Sequence, residues 1–394
     1  MSGRSDGPDA SLRPLTRAGS PEARMYDAII LGTGGMGSAA AAELARRGRR
    51  VLALEWFPLV HAFGSSHGHT RVIRTAYYEH PAYVPLCRRA FDLWYGLEQR
   101  VGRHLLTPCD CLSIGQPDGE LVAGVRRAAA DHALAIDNLS SDDIRRRFPV
   151  FRFSDEYVGV LEREAGFLYV EDCVRAQIDD AIAHGATVRG GEPVVAWEAN
   201  DRGVTVRTAD ATYTADRLVV TAGAWATKLL GELGAKLSVM RQVLFWFAPP
   251  DPRSFARDRL PVYLADTPEG CFYGLPAIDQ RGHKVARHYG APELPNPDTV
   301  RRVVADADEE PVRAFVRNHL PGANGPRRDA TVCLYTLSPD RHFVIDRHPE
   351  YSTVAIAAGF SGHGFKFAPV VGEMLADLTD GKESLDLFSI HRLK

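Results

Sequence analysis

An α/β fold in two interleaved parts is predicted, one part a mixed sheet with a βαβ opening, the other an antiparallel sheet; three observations predict it. First, "YDAIILG" (26–32), the Ala-rich "GGMGSAAAAELARRG" (34–48) and "RVLALE" (50–55) read as strand, helix and strand. Second, the middle of the chain holds apolar runs, "VLFWFAPP", "PVYLADTPEGCFYGLP" and "HKVARHYG", joined by Pro/Gly turns with little helix between them. Third, the last hundred residues return to mixed α/β, ending with the apolar run "STVAIAAG" and a helix from Phe365 to about Leu378.

The remaining elements follow in order. Between Ala82 and Arg103, Val84, Cys87, Phe91 and Trp94 recur at three- and four-residue steps, the spacing of an amphipathic helix. "VEDCVRAQIDDAIAHG" (170–185) reads as a helix, and "ATVRG", "VVAWEA", "GVTVRT" and "ATYTADRLVVTAG" as strands. No internal repeat is visible.

With 394 residues, 45% hydrophobic and 25% charged, the chain has the bulk for two domains. A formal net charge of -3 gives no basic field for phosphates, which argues against nucleic acid as a partner. The longest charge-free stretch, Ala28 to Ala42, is Gly-rich and only about fifteen residues long, short of the roughly twenty that cross a bilayer. No membrane span is expected. Residues 1–24, rich in Ser, Gly, Pro and Arg, have no apolar run to bury and are expected to be a disordered tail. They lack the hydrophobic segment of a secretory signal, and Asp6, Asp9 and Glu22 argue against a transit peptide.

Six scattered cysteines lack the spacing of a disulfide scaffold and suit a reducing cytoplasm. "CDC" (109–111) has no second pair at ligand spacing, so Cys109 and Cys111 read as ordinary strand cysteines and no metal is expected.

Gly32, Gly34 and Gly37 form G-x-G-x-x-G between the first strand and helix, and Glu55 closes the second strand. Glycines there permit a tight turn and let backbone approach a pyrophosphate at the helix N-terminus, while Glu55 can accept from ribose hydroxyls. The pattern does not separate FAD from NAD. In "RLVVTAGAW", small residues at Ala222, Gly223 and Ala224 end an apolar strand; a second approach to the cofactor and a plain strand–helix junction explain them equally well.

Taken with that fingerprint, "SSHGHTRVIRTAYYEHPAYVPL" (65–86), "CLY" (333–335) and "GFSGHGFKF" (359–367) give the chain, from Met25 to its end, a resemblance to the monomeric sarcosine oxidase and N-methyltryptophan oxidase family. The resemblance implies a Rossmann-type FAD-binding domain interleaved with an antiparallel-sheet substrate domain. The division it suggests is 25–105, 145–235 and 330–394 for the cofactor, and 106–144 and 236–329 for the substrate.

What the resemblance implies residue by residue is specific. FAD would be bound covalently, its 8α-methyl group joined to the sulfur of Cys333, which taken alone reads as a buried strand cysteine. Thr70, Val194, Gly223, Gly362 and Gly364 would approach the cofactor. Arg74 and Lys366 would hold the substrate carboxylate; a guanidinium can grip a carboxylate through two parallel bonds, and a second cation offsets desolvation. Without the family, Lys366 reads as a lysine snorkelling from a helix end. Arg71 would lie near the flavin and favour its reduced, anionic form, and Lys284 would serve oxygen activation, although alone it reads as a solvated strand lysine. Tyr273, His288, Tyr335 and Leu264 would line the substrate cavity, the first two polarising the amine. His363 receives no chemistry.

The family's "HHGDTRxIRHAYGE" is here "SHGHTRVIRTAYYE", changing Ser66, His69, Thr75 and Tyr78, while Leu264 replaces a pocket methionine and Arg287 precedes His288. The activity implied is oxidation of a secondary, N-alkyl amino acid. Hydride passes to the flavin, the imine hydrolyses and O2 becomes H2O2. A cyclic imino acid of the pipecolate or piperideine carboxylate type is the alternative substrate, and a dehydrogenase using another acceptor the alternative reaction. A cytoplasmic monomer is expected.

Overall fold

A computed structural model describes residues 26–234 and 236–393. The expected tail, 1–24, lies outside the described residues.

The opening unit is β1 (Tyr26–Leu31), α1 (Gly35–Arg46) and β2 (Val51–Glu55). β1 sits at the centre of an eight-stranded sheet, parallel to β2 on one side and to the strand Thr212–Val220 on the other. Thr187–Gly190 adds outside β2, and Val354–Ala358 runs parallel to the end of Thr212–Val220. Ala28–Leu31 and all of β2 are buried because helices cover the sheet, which is why these strands read as continuous apolar runs. One covering layer packs α1 against Val170–Ala183 and Ala368–Thr379. Small residues make this close packing possible: a Cβ on Gly372 would lie 2.8 Å from the Ala39 backbone.

The second sheet has nine strands. Ser238–Phe247 pairs antiparallel with Arg327–Leu337 along its whole length, and Val262–Thr267, Gly270–Leu275 and His283–Arg287 form a meander beside it. One pair is parallel, Val262–Ala265 with Cys111–Ile114. Arg327–Leu337 and Val158–Glu162, which falls in the 145–235 stretch, both belong to this sheet although the expected division puts most of the first and all of the second with the cofactor. The pairing explains it: a strand of 11 residues satisfies its backbone groups only beside a partner of similar length, and Ser238–Phe247, with 10, is that partner.

The middle region also carries a helix, Asp306–His319, which buries Val312, Phe315 and Val316, with Phe315 stacked 4.2 Å from Phe272. Its acidic start and internal Pro311 mask the amphipathic spacing in the sequence. The C-terminal helix begins as a 3-10 turn over Phe365–Phe367 and becomes α-helix at Ala368–Thr379. Pro369 sits in its first turn, where a missing N–H costs nothing.

Candidate active site

β3 (Thr70–Arg74), at the edge of a three-stranded sheet, brings Arg71, Val72 and Arg74 to a cavity lined also by residues of both large sheets. This cavity of about 960 Å³ runs from the turn after β1 to the start of the C-terminal helix. It joins Gly32, Gly34 and Glu55 at one end to Arg74, Tyr335 and Lys366 at the other, with Arg71 and Cys333 also in its wall. Val194, Gly223, Leu264, Tyr273, His288, Gly362 and Gly364 line it as well. Gly37, Thr70 and Lys284 are not in the wall.

The three fingerprint glycines do different work. Gly32 has φ +91°, and a Cβ there would sit 2.7 Å from Thr221 O. A Cβ on Gly37 would lie 1.8 Å from Gly32 O, so this glycine lets α1 approach the strand end. Gly34 opens to the cavity, and a Cβ there would meet only Ser66 Oγ, at 3.4 Å. The helix N-terminus carries no side-chain cap at Gly34, while Gly35 N–H donates to Ser66 Oγ at 3.0 Å. Thr33 Oγ1, in the cavity wall, is buried without a hydrogen-bond partner. Glu55 accepts from Thr33 N–H at 2.8 Å and Phe57 N–H at 3.1 Å, and His61 lies 3.3 Å away. Burial opposes ionisation of Glu55, but the His61 contact and the amide donors prevail and lower its pKa. An open glycine turn, an orphaned hydroxyl and a fixed carboxylate fit a dinucleotide's pyrophosphate and ribose.

At the far end the charges are dense. Arg74 is buried; its Nη2 donates to Glu79 at 2.6 Å and its Nη1 to Ala76 O at 2.8 Å, and the guanidinium lies over the rings of Tyr77 and Tyr78. Burial works against the Glu79 carboxylate, yet Arg74 above all holds its pKa at about 2. Lys366 Nζ donates to His363 O at 2.7 Å and Tyr77 Oη at 3.2 Å. Burial, and then the charge of Arg74, push its pKa down to about 8. His288 Nδ1 lies 3.2 Å from Tyr335 Oη, and burial pushes the imidazole to about 3, so it is neutral. Tyr273 meets that ring edge-on at 6.0 Å.

Between the two ends, Arg71 Nη2 donates to Ser65 O at 2.9 Å and lies 3.2 Å from Cys333 Sγ. Lys284 is fully buried, not solvated. Its Nζ donates to Gly68 O at 2.8 Å and Thr70 O at 2.7 Å, the second acceptor shared with Arg71, and lies 5.2 Å from the Trp246 ring. Burial and then Arg71 push its pKa well down, while carbonyl acceptors and an aromatic face favour the ammonium. Gly362, at φ +82°, has a reason within the protein: its Cβ would fall 2.3 Å from the Tyr335 ring.

Tyr77, Glu79, Glu162 and His363 are site residues that sequence reasoning missed. Glu79 lines the cavity as the counter-ion of Arg74, and "YYEH" alone gives no sign of it. Glu162 accepts from Thr75 N–H at 2.7 Å and Ala76 N–H at 3.0 Å, and burial pushes it up to about 7 against the charge of Arg74. A lone Glu amid the strand run "VGVLE" was the available signal. Among the described residues no His, Cys, Asp or Glu cluster could hold a metal ion, and all six cysteines are unpaired.

A family model described as FAD dependent oxidoreductase matches residues 27–378. Monomeric sarcosine oxidase of Streptomyces avermitilis is 42% identical over 358 residues, covering 90% of this chain and 93% of that one. N-methyl-L-tryptophan oxidase of Yersinia pestis is 35% identical over 376 residues, covering 94% and 100%. Among solved structures, the open form of NikD, an amino acid oxidase essential for nikkomycin biosynthesis, matches with a TM-score of 0.81 and 26% identity over 93% of this chain and 98% of that one. The chain therefore belongs to the FAD-dependent oxidoreductase family. Within it, the protein is a flavin-dependent amine oxidase of the group that holds monomeric sarcosine oxidase and N-methyltryptophan oxidase.

Proposed function

We propose that the protein oxidises a secondary, N-alkyl amino acid held by its carboxylate between Arg74 and Lys366. The observation that carries this is a charge imbalance. Three cationic side chains, Arg71, Arg74 and Lys366, line one cavity against the single carboxylate of Glu79 at their end of it. A buried cation without a counter-charge is costly, and an anionic substrate group supplies the missing charge. That group competes with Glu79 for the Arg74 guanidinium and restores the Lys366 proton that burial weakens. Neutral His288, with Tyr335 and Tyr273, offers polar groups without adding charge, which suits a neutral amine. Leu264 and Val72 bound the apolar side.

FAD, when bound, takes a hydride equivalent from the C–H beside the substrate nitrogen and passes the electrons to dioxygen as hydrogen peroxide. Gly32, Gly34, Thr33 and Glu55 would hold its pyrophosphate and ribose, with Val194 and Gly223 along its length. Cys333 would carry the covalent attachment at the 8α-methyl carbon, and the Arg71 guanidinium lies 3.2 Å from its sulfur. Lys284, outside the cavity wall and held on the Gly68 and Thr70 carbonyls, is assigned to the oxygen half-reaction, where its protonated form would supply positive charge. The unpaired cysteines suit a reducing cytoplasm, where we place the protein as a monomer.

A peroxide-coupled screen of sarcosine, other N-methyl amino acids, pipecolate and proline tests the reading. Peroxide is expected with N-alkyl amino acids and not with the same amines lacking a carboxylate. A preference for pipecolate would move the substrate to the cyclic class, and no peroxide from any of them would refute the proposal. For the linkage, acid precipitation should leave the yellow colour in the wild-type pellet and release it from C333S; release from both would refute the assignment to Cys333.

A further inference from the structure

His363 touches neither Arg74 nor a fingerprint residue, yet its ring is the hub of a hydrogen-bond chain that ends on Lys366. Its Nε2 lies 3.0 Å from Arg341 O. A carbonyl only accepts, so Nε2 carries the hydrogen. The ring is buried, and burial holds its pKa at about 4, so it is neutral and its Nδ1 is bare. Tyr77 Oη stands 2.7 Å from that nitrogen, and the only hydrogen available for the contact is the phenol's. Nδ1 is the nearer acceptor for that hydrogen, the His363 carbonyl at 3.1 Å being the other, and with either one the phenol oxygen turns a lone pair to Lys366 Nζ at 3.2 Å. The polarity of the last link, from ammonium to phenol, is thus determined.

The same residue acts on Lys366 twice, because the His363 backbone carbonyl accepts from Nζ at 2.7 Å. Trp94 Nε1 pins the Lys366 backbone by donating to its carbonyl at 2.8 Å. Among the described residues Nζ has these two acceptors, and an ammonium has three donors. One N–H is left, and Lys366 lines the cavity.

We infer that His363, acting through Tyr77, is a positioning residue that fixes Lys366 so that its remaining N–H meets the carboxylate of an amino-acid substrate. The inference rests on the carboxylate-clamp reading above. Without the chain, a lysine on four rotatable bonds would have to order itself on each binding event; with it, the geometry is set beforehand.

Acetate, a carboxylate with no oxidisable amine, is the probe, titrated at pH 7 into flavin-loaded enzyme and read from the change in flavin absorption. Tyr77→Phe, which removes one oxygen and keeps the ring, and His363→Ala should each raise the acetate Kd by about tenfold, the scale of a hydrogen bond to a charged group. The double variant should lose no more than the worse single, because both cut one chain. His363→Asn, whose amide oxygen can take the phenol hydrogen, should recover most of the affinity. Unchanged acetate binding in Tyr77→Phe, or additive losses in the double variant, would overturn the inference. Lys366→Met separates the two levels: if it binds acetate as well as wild type the clamp reading itself fails, and if it alone weakens acetate only the His363 inference fails. Should His363→Ala not load flavin, Tyr77→Phe decides.

Discussion

Lys366 is held near the point of losing its proton, and that makes the anion grip dependent on pH. Burial and Arg74 lower its pKa to about 8, so the cation is present below that value and lost above it. A bound carboxylate favours the charged form, so the free enzyme's pKa is the one that governs binding. Acetate affinity is expected to fall about tenfold per unit above pH 8, on top of a shallower decline around pH 7 as Glu162 beside Arg74 ionises, whereas Lys366→Met should keep only that shallower decline. Absorption titrations across the range check this; a wild-type profile flat to pH 9.5 would sink it. Glu79, at about 2, stays ionised throughout and contributes no bend. Arg74 and Lys366 drew attention through the family resemblance that their motifs carry, since taken alone Lys366 reads as a lysine snorkelling from a helix end. Glu79, Glu162 and His363 drew none, because each acts through a partner that only the fold brings near: 286 positions separate His363 from Tyr77.

At the scale of elements, the βαβ opening joins two demands, a close strand–helix approach and an open anion site, and its glycines divide them. Gly37→Ala puts a methyl 1.8 Å from Gly32 O and 2.5 Å from Thr221 Oγ1, and the first of these is backbone that cannot move aside. Gly34→Ala meets nothing closer than a serine hydroxyl at 3.4 Å. The first should therefore destabilise the protein even without flavin, by about 1–3 kcal/mol as overpacked cores do, seen as a lower Tm of apoprotein. The second should leave the apoprotein Tm within a degree or two and lower the flavin content of purified protein instead. Equal Tm losses would contradict this division of labour. The unit was legible because hydrophobic period, glycine spacing and the closing acid agree over thirty residues. Asp306–His319 was not, since a proline and a run of acids hide its apolar face. Neither was the sheet to which Arg327–Leu337 belongs, because an apolar strand does not encode its neighbour.

The whole molecule is two sheets that share one cavity. Cys333 and Tyr335 come from the second sheet, Gly32 and Glu55 from the first, and Arg71 and Arg74 from the small sheet between. A ligand filling that cavity touches every layer, and it binds the folded form alone, so its binding energy adds to the stability of all of them together. Contacts between the parts already exist without it: Trp225 Nε1 donates to Asp298 at 3.0 Å, and Ser65 Oγ to Leu334 O at 2.5 Å. Scanning calorimetry of flavin-loaded protein should accordingly give one transition, coincident with the loss of visible flavin circular dichroism. Apoprotein should melt lower, and there the substrate sheet, with fewer ties to the first, should separate as an earlier event. Two transitions in the loaded protein, the first with the flavin signal intact, would mean that the cofactor belongs energetically to one sheet and that the shared cavity couples nothing.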